Sequence, residues 1–278
     1  MQANNSLISV SWLASHYQDP NLIVLDASML SAPGRTTDYI PNSQIFDYSS
    51  VFCDPNASLP CTMPSAEHFT EQARLLGINQ GSKVIIYDQR GLFYAPRAWW
   101  MFKSMGLHNV YVLAGGLPKW LGKKLPTVSE PRPASRVGDF TALFDSAYFV
   151  NSGQVLKAIK DPADVAESTV IDVRSADRFY ARELESRTGL RSGHIPNSLN
   201  FPFSEIVSDG ELVSTQRLKQ QFAQLLPYKD QQYIFSCGSG VTACITLMAA
   251  WSLGYTNLAV YDGSWTDWGA DHSLPIEV

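Results

Sequence analysis

Two stretches of this chain carry the same landmarks in the same order, and that repeat constrains the fold more than any other feature. Each opens on an apolar run that ends near an aspartate: Leu22-Ile23-Val24-Leu25-Asp26 in the first half, Val170-Ile171-Asp172-Val173 in the second. An Ile-Pro-Asn-Ser turn follows, at Ile40–Ser43 and at Ile195–Ser198. A second apolar run comes next, Val84–Tyr87 and Tyr233–Ser236, then a helix-like segment ending at Gly106 and at Gly254. A third run, Val110–Leu113 and Leu258–Tyr261, leads to Gly115 and Gly263, and Trp120 and Trp268 close the two units. Short apolar runs alternating with helical segments are the pattern of βα units on a parallel sheet. The expected class is therefore α/β: two copies of one domain, each a mainly parallel sheet with helices on both faces. The expected boundaries are 1–124 and 146–278, with the Pro- and Ser-rich stretch 125–145 as linker. Residues 182–191 read as a polar insertion in the second copy.

Composition narrows the functional classes. A length of 278 residues suits two domains of ordinary size. The net charge of −5 lacks the basic excess of nucleic-acid or anionic-membrane binders, so neither partner is expected. Cys53, Cys61, Cys237 and Cys244 are too few for a disulfide scaffold and lack zinc spacing, so no metal is expected. The N-terminus shows no signal-peptide pattern and no stretch reaches membrane-spanning length, which points to a reducing, cytoplasmic setting. Neither a Walker loop nor a dinucleotide fingerprint is present, and no cofactor is expected.

In an open parallel sheet, ligands bind beyond the carboxyl ends of the strands. Cys237 stands there, directly after the run Tyr233–Ser236 and before Gly238-Ser239-Gly240-Val241-Thr242-Ala243-Cys244. The glycines permit a tight loop of inward-facing N–H groups, and a helix is expected from about Val241 to Leu253. Such a setting favours a thiolate: a shift of about two pKa units is about 2.7 kcal/mol toward the anion. Cys244, inside the helix among apolar residues, reads as core. In the first copy Asp88 takes the place of Cys237 and the loop is one residue longer, so that copy is expected to be catalytically silent.

The loop CGSGVTAC, the paired IPNS turns, APRAWW at Ala95–Trp100 and YDGSWTDW at Tyr261–Trp268 together resemble tandem rhodanese-domain sulfurtransferases over nearly the whole chain. Within that family, a loop of the form Cys-Gly-Ser-Gly-Val-Thr is similar to the mercaptopyruvate-preferring branch, whereas thiosulfate-preferring members carry basic residues there. The resemblance implies an active site between the domains and a persulfide on Cys237. Its donor would be 3-mercaptopyruvate, released as pyruvate. Its acceptor would be thioredoxin, glutathione or another thiol, or cyanide. It implies that Arg178 and Arg187, nine residues apart, bind the donor's carboxylate and keto groups, a task for which a guanidinium fork is suited. Ser239 is expected to polarise the donor or relay a proton. Gly238, Gly240, Val241 and Thr242 complete the substrate-binding loop, with Thr242 as helix cap. Arg182 and Arg191 read as solvated.

The first half departs from the branch pattern. Ser49 stands where relatives tend to carry an acid, and Cys61 where a histidine is common. The second change raises the expectation of a Cys61–Cys237 disulfide. Two other chemistries compete. Thiosulfate transfer is disfavoured by the neutral Gly-Ser-Gly loop, because that donor carries two negative charges. Cysteine-phosphatase chemistry needs an arginine six residues after the cysteine, where Ala243 stands.

Overall fold

The computed structural model describes residues 6–160 and 167–278; the first five residues of the N-terminal stretch discussed above lie outside the described residues. The chain divides into two units. One comprises Met1–Ala57, Met63–Asp145 and Asp209–Leu212, the other Ser58–Thr62, Ser146–Ser208 and Val213–Val278.

In the first unit the elements run β1 (Leu7–Ile8), α1 (Val10–His16), β2 (Leu22–Asp26), β3 (Ser43–Ile45), α2 (Ala66–Leu75), β4 (Lys83–Tyr87), α3 (Ala95–Ser104), β5 (Val110–Leu113) and α4 (Gly116–Gly122). The second half of the chain repeats them as β6 (Phe149–Val150), α5 (Ser152–Ala158), β7 (Ser168–Asp172), α6 (Ala176–Phe179), β8 (Leu199–Asn200), α7 (Thr215–Leu225), β11 (Gln232–Ser236), α8 (Ala243–Ser252), β12 (Leu258–Tyr261) and α9 (Ser264–Trp268), with short strands β9 (Val207–Ser208) and β10 (Glu211–Leu212) before α7. The two five-stranded sheets have the same order, β1-β5-β4-β2-β3 and β6-β12-β11-β7-β8. Every neighbouring pair in them is parallel.

This order explains why the strands read as unbroken apolar runs. The connections run in opposite directions along each sheet, and right-handed crossovers then place helices on both faces. On one face of the first sheet Val24, Ile85 and Tyr87 pack with Leu13, Leu117 and Trp120. Val84 and Ile86 alternate with them and are equally buried. In the second sheet Val170, Ile234 and Tyr261 pack with Val155, Trp265 and Trp268. Each such side chain contributes about 1.5–3 kcal/mol of burial.

The Ile-Pro-Asn-Ser words are turns with a left-handed third residue. Ser43 N donates to Ile40 O and Ser198 N to Ile195 O, each at 3.1 Å, and φ is 67° at Asn42 and 59° at Asn197. Asparagine tolerates that region better than any residue but glycine. Its side chain adds a second bond: Asn42 Nδ2 donates to Tyr17 O and Asn197 Nδ2 to Ile159 O. These bonds tie the turn to the ends of α1 and α5, the helices preceding β2 and β7.

The Pro-rich segment 125–145 lies along the first unit. Val128 and Tyr39 bridge antiparallel, Arg74 Nε donates to Phe140 O at 2.8 Å, and Phe140 is fully buried. Among the described residues no helix is long and apolar enough to cross a membrane. Replacing Asn197 by alanine is expected to lower stability by about 1–3 kcal/mol, through the left-handed backbone and the lost side-chain bond. Glycine at 197 is expected to recover the backbone share; urea unfolding of the two variants checks this.

Candidate active site

The first unit shows what the loop after the central strand is built to hold. Asp88 follows β4 and is fully buried. Its Oδ1 accepts the N–H of Arg90 at 2.8 Å, and its Oδ2 accepts those of Phe93, Tyr94 and Ala95 at 2.9, 2.8 and 2.9 Å. Four backbone donors thus converge on one carboxylate at the start of α3, an anion cradle filled from within.

In the second unit Cys237 follows β11 in the equivalent place and is 2% exposed. No carboxylate fills this loop. The N–H groups of Gly238, Ser239, Val241 and Thr242 donate to no acceptor among the described residues. The loop is instead anchored from the α9 side. Cys237 N donates to Ser264 Oγ at 3.1 Å, Trp265 N to Cys237 O at 3.0 Å, and Thr266 N to Gly238 O at 2.9 Å. Thr266 Oγ1 also donates to Gly238 O, at 2.6 Å. Ser264 is fully buried and holds φ 49°, a strained value for a residue with a Cβ.

Two arginines reach this loop. From where a Cβ of Gly238 would stand, Arg178 Nη2 is 3.6 Å away and Arg187 Nη1 is 3.9 Å away. Arg178, with its side chain 27% exposed, donates through Nε and Nη2 to Glu185. Glu185 is itself 1% exposed and accepts Arg174 Nη1 at 2.7 Å. Arg174 is also bound to Asp172 through Nε and Nη2, donates to Gly193 O, and stacks 4.2 Å over Trp265. Burial opposes the charged form of Arg178, but the hydrogen bond and charge of Glu185, with Asp172 and Cys237, outweigh it and raise its pKa. Arg187 is exposed and donates through Nη1 to Thr266 Oγ1. The result is a buried thiol beside unspent amide donors and two cations, an arrangement that suits a small organic anion.

The family described as rhodanese-like domain matches residues 9–123 and 152–271. The chain belongs to the rhodanese family. It is 38% identical over 279 residues to the 3-mercaptopyruvate sulfurtransferase of Escherichia coli strain K12, covering 97% of each chain. It is 34% identical over 284 residues to the human 3-mercaptopyruvate sulfurtransferase, covering 96% of this chain and 93% of the relative. A crystal structure of a 3-mercaptopyruvate sulfotransferase from Escherichia coli superposes with a TM-score of 0.81 at 35% identity, covering 94% of this chain and 99% of the other.

Within this rhodanese the structure brings Cys237, Gly238, Arg178 and Arg187 together. Ser239 is half-buried, and its hydroxyl bonds to nothing among the described residues. Gly240 takes φ 73°, as the tight loop requires. Val241 is buried. Thr242 corrects the expectation of a cap: it has helical backbone angles and makes no capping bond, because the loop enters α8 without the extended residue a cap needs. The helix begins at Ala243 rather than Val241. Cys244 is core, as read. Arg182 is solvated, 64% exposed beside Asp177. Arg191 is not: its guanidinium donates to the carbonyls of Gly269, Leu274, Trp268 and Asp271, closing the chain end after α9. A guanidinium, with several donors in a rigid fork, can bond four carbonyls of one turning segment at once.

All four cysteines are free thiols in this structure. Cys61 is buried at φ 59°. Asp47 Oδ1 caps a turn by accepting the N–H and hydroxyl of Ser49 and the N–H of Ser50. The sequence reading missed Asp172, Arg174, Glu185, Ser264 and Thr266. Two signals for them were present: the polar Asp-Val-Arg end of an apolar strand, and the YDGSWTDW word taken only as a family mark. Replacing Thr266 by valine unfastens Arg187 from the loop. The rate of Cys237 alkylation by anionic iodoacetate, relative to neutral iodoacetamide, is expected to fall about tenfold, the scale of one charged hydrogen bond; mass-resolved alkylation kinetics measures it.

Proposed function

We propose that this rhodanese is a 3-mercaptopyruvate sulfurtransferase and that Cys237 carries the sulfur. The observation that carries the reading is the meeting of Arg178 and Arg187 at Gly238, next to the buried thiol in a loop with no basic residue of its own. Two guanidinium groups seat a carboxylate and an adjacent keto oxygen, which places the donor's sulfur toward Cys237. The amides of Gly238, Ser239, Val241 and Thr242 stabilise the anion on sulfur, and each charge-assisted bond is worth about 1.5–3 kcal/mol.

In the first step the Cys237 thiolate attacks the donor sulfur. An S–S bond forms, the S–C bond breaks, and its electron pair leaves as the enolate of pyruvate. The proton on the outer sulfur passes to the enolate carbon, with the unbonded hydroxyl of Ser239 as relay, leaving pyruvate and a persulfide anion in the cradle. In the second step an acceptor thiolate attacks the outer sulfur and returns Cys237 as thiolate. A sulfurtransferase requires such a donor and acceptor; small thiols, thioredoxin-like proteins and cyanide have the nucleophilicity for the second step. No cofactor enters. We place the enzyme in the cytoplasm, where low-molecular-weight thiols keep Cys237 reduced. We read residues 1–124 as a silent domain because a carboxylate already occupies its cradle, and residues 146–278 as the catalytic domain.

Thiosulfate is the second reading, since the same persulfide would form from it with sulfite leaving. The absence of a basic residue among Gly238, Ser239 and Gly240 disfavours it. Donor-treated protein is expected to gain about 32 Da, one sulfur atom, on Cys237. Pyruvate release from 3-mercaptopyruvate is expected to exceed sulfite release from thiosulfate, and Cys237→Ser is expected to abolish both. No mass gain on Cys237 would sink the proposal. Arg178→Lys, which keeps the charge and loses the fork, is expected to lower kcat/KM for mercaptopyruvate by about 1.5–3 kcal/mol, or tenfold to 150-fold.

A further inference from the structure

Glu185 lies outside the reacting groups, yet every strong contact it makes is to an arginine of the site. Its carboxylate is 1% exposed and holds Arg174 through Oε1 and Arg178 through both oxygens. Arg174 is equally buried and faces Asp172 on its other edge. Two carboxylates therefore stand against two guanidinium groups, and the set closes with no net charge. Arg187 is bonded to the neutral hydroxyl of Thr266, so it supplies the surplus positive charge facing Gly238.

We propose that Glu185 is a positioning residue that sets the donor's charge class, holding Arg178 by one edge and limiting the site to donors with a single negative charge. Of the donors of Arg178, Nε and one N–H of Nη2 are spent on Glu185, which leaves the second N–H of Nη2, the atom nearest Gly238, and those of Nη1 for a ligand. The orientation follows from the rigid fork of the guanidinium. The charge limit follows from Coulomb energies, which are largest among buried groups. Arg187 then offsets the Cys237 thiolate, so a donor with two negative charges would bring two uncompensated charges into the site and a monoanion one.

This inference rests on the sulfurtransferase reading, and its test separates the two. Protection of Cys237 from neutral iodoacetamide reports anion seating without any sulfur transfer. In the wild-type enzyme pyruvate is expected to protect at concentrations about tenfold or more below oxalate, which is a dianion of similar size. Glu185→Gln keeps the shape and removes one negative charge. Its protection constants for oxalate and pyruvate are expected to move together or reverse. Its ratio of kcat/KM for thiosulfate over mercaptopyruvate is expected to rise about tenfold or more. Glu185→Asp keeps the charge and withdraws the carboxylate by one methylene. It is expected to raise KM for both donors and leave their ratio unchanged.

A role confined to folding would lower both donors in proportion in Glu185→Gln, and that result overturns the proposal. So does tighter protection of the wild type by oxalate than by pyruvate, a measurement that needs no variant to fold. Protection that follows the expected order while donor-treated Cys237 gains no sulfur would overturn the sulfurtransferase reading and leave the charge selection standing.

Discussion

Backbone amides at the start of α8 dispose the second unit toward an anion, because the described residues offer those of Gly238, Ser239, Val241 and Thr242 no acceptor. The first unit shows the same loop satisfied: four N–H groups close on the buried carboxylate of Asp88. In the second, a cysteine stands in that place, and its shorter side chain leaves room for one further atom. Amide donors without acceptors are costly where water is excluded. A charged sulfur, or a second sulfur attached to it, relieves that cost. The site thus rests on a local deficit in hydrogen bonding, created where Cys237 and a loop one residue shorter replace Asp88 and its loop.

The arginines have the opposite problem. Arg174 is almost wholly buried and Arg178 partly so, and a buried guanidinium without a partner is strongly destabilising. Asp172, at the end of β7, and Glu185, in the insertion, resolve this by pairing with them. Trp265 adds a face for Arg174. The polar insertion between β7 and the second Ile-Pro turn therefore has a defined task. It brings Arg187 to the loop and Glu185 to Arg178 of α6, and the first copy has no counterpart of it.

The fold was readable from the repeat because parallel strands buried on both faces leave unbroken apolar runs, and because the Asn42 and Asn197 turns demand a residue type few positions need. Strands Val110–Leu113 and Leu258–Tyr261 fall where the runs place them. Cys237 was readable for the same reason: a strand, a glycine loop and a helix leave little doubt about direction. What escaped was side-chain pairing over long separations. Arg191 looks like any surface arginine until the carbonyls of residues 268–274 are seen around it. Glu185 is one of several acids in a polar stretch. Its burial depends on Arg174, eleven residues away, and no local periodicity announces that. Thr242 carried the right residue type for a cap but the wrong backbone.

Ser264 and Gly116 occupy the same turn in the two copies, and both take φ 49°. Glycine suits that backbone; serine resists it by about 1–2 kcal/mol. The serine is there because its hydroxyl receives the amide of Cys237. Selection for heat resistance alone would push this position toward glycine, and the lineage that yields would carry a looser nucleophile. The strained turn thus marks a place where durability and turnover pull the same codon in different directions.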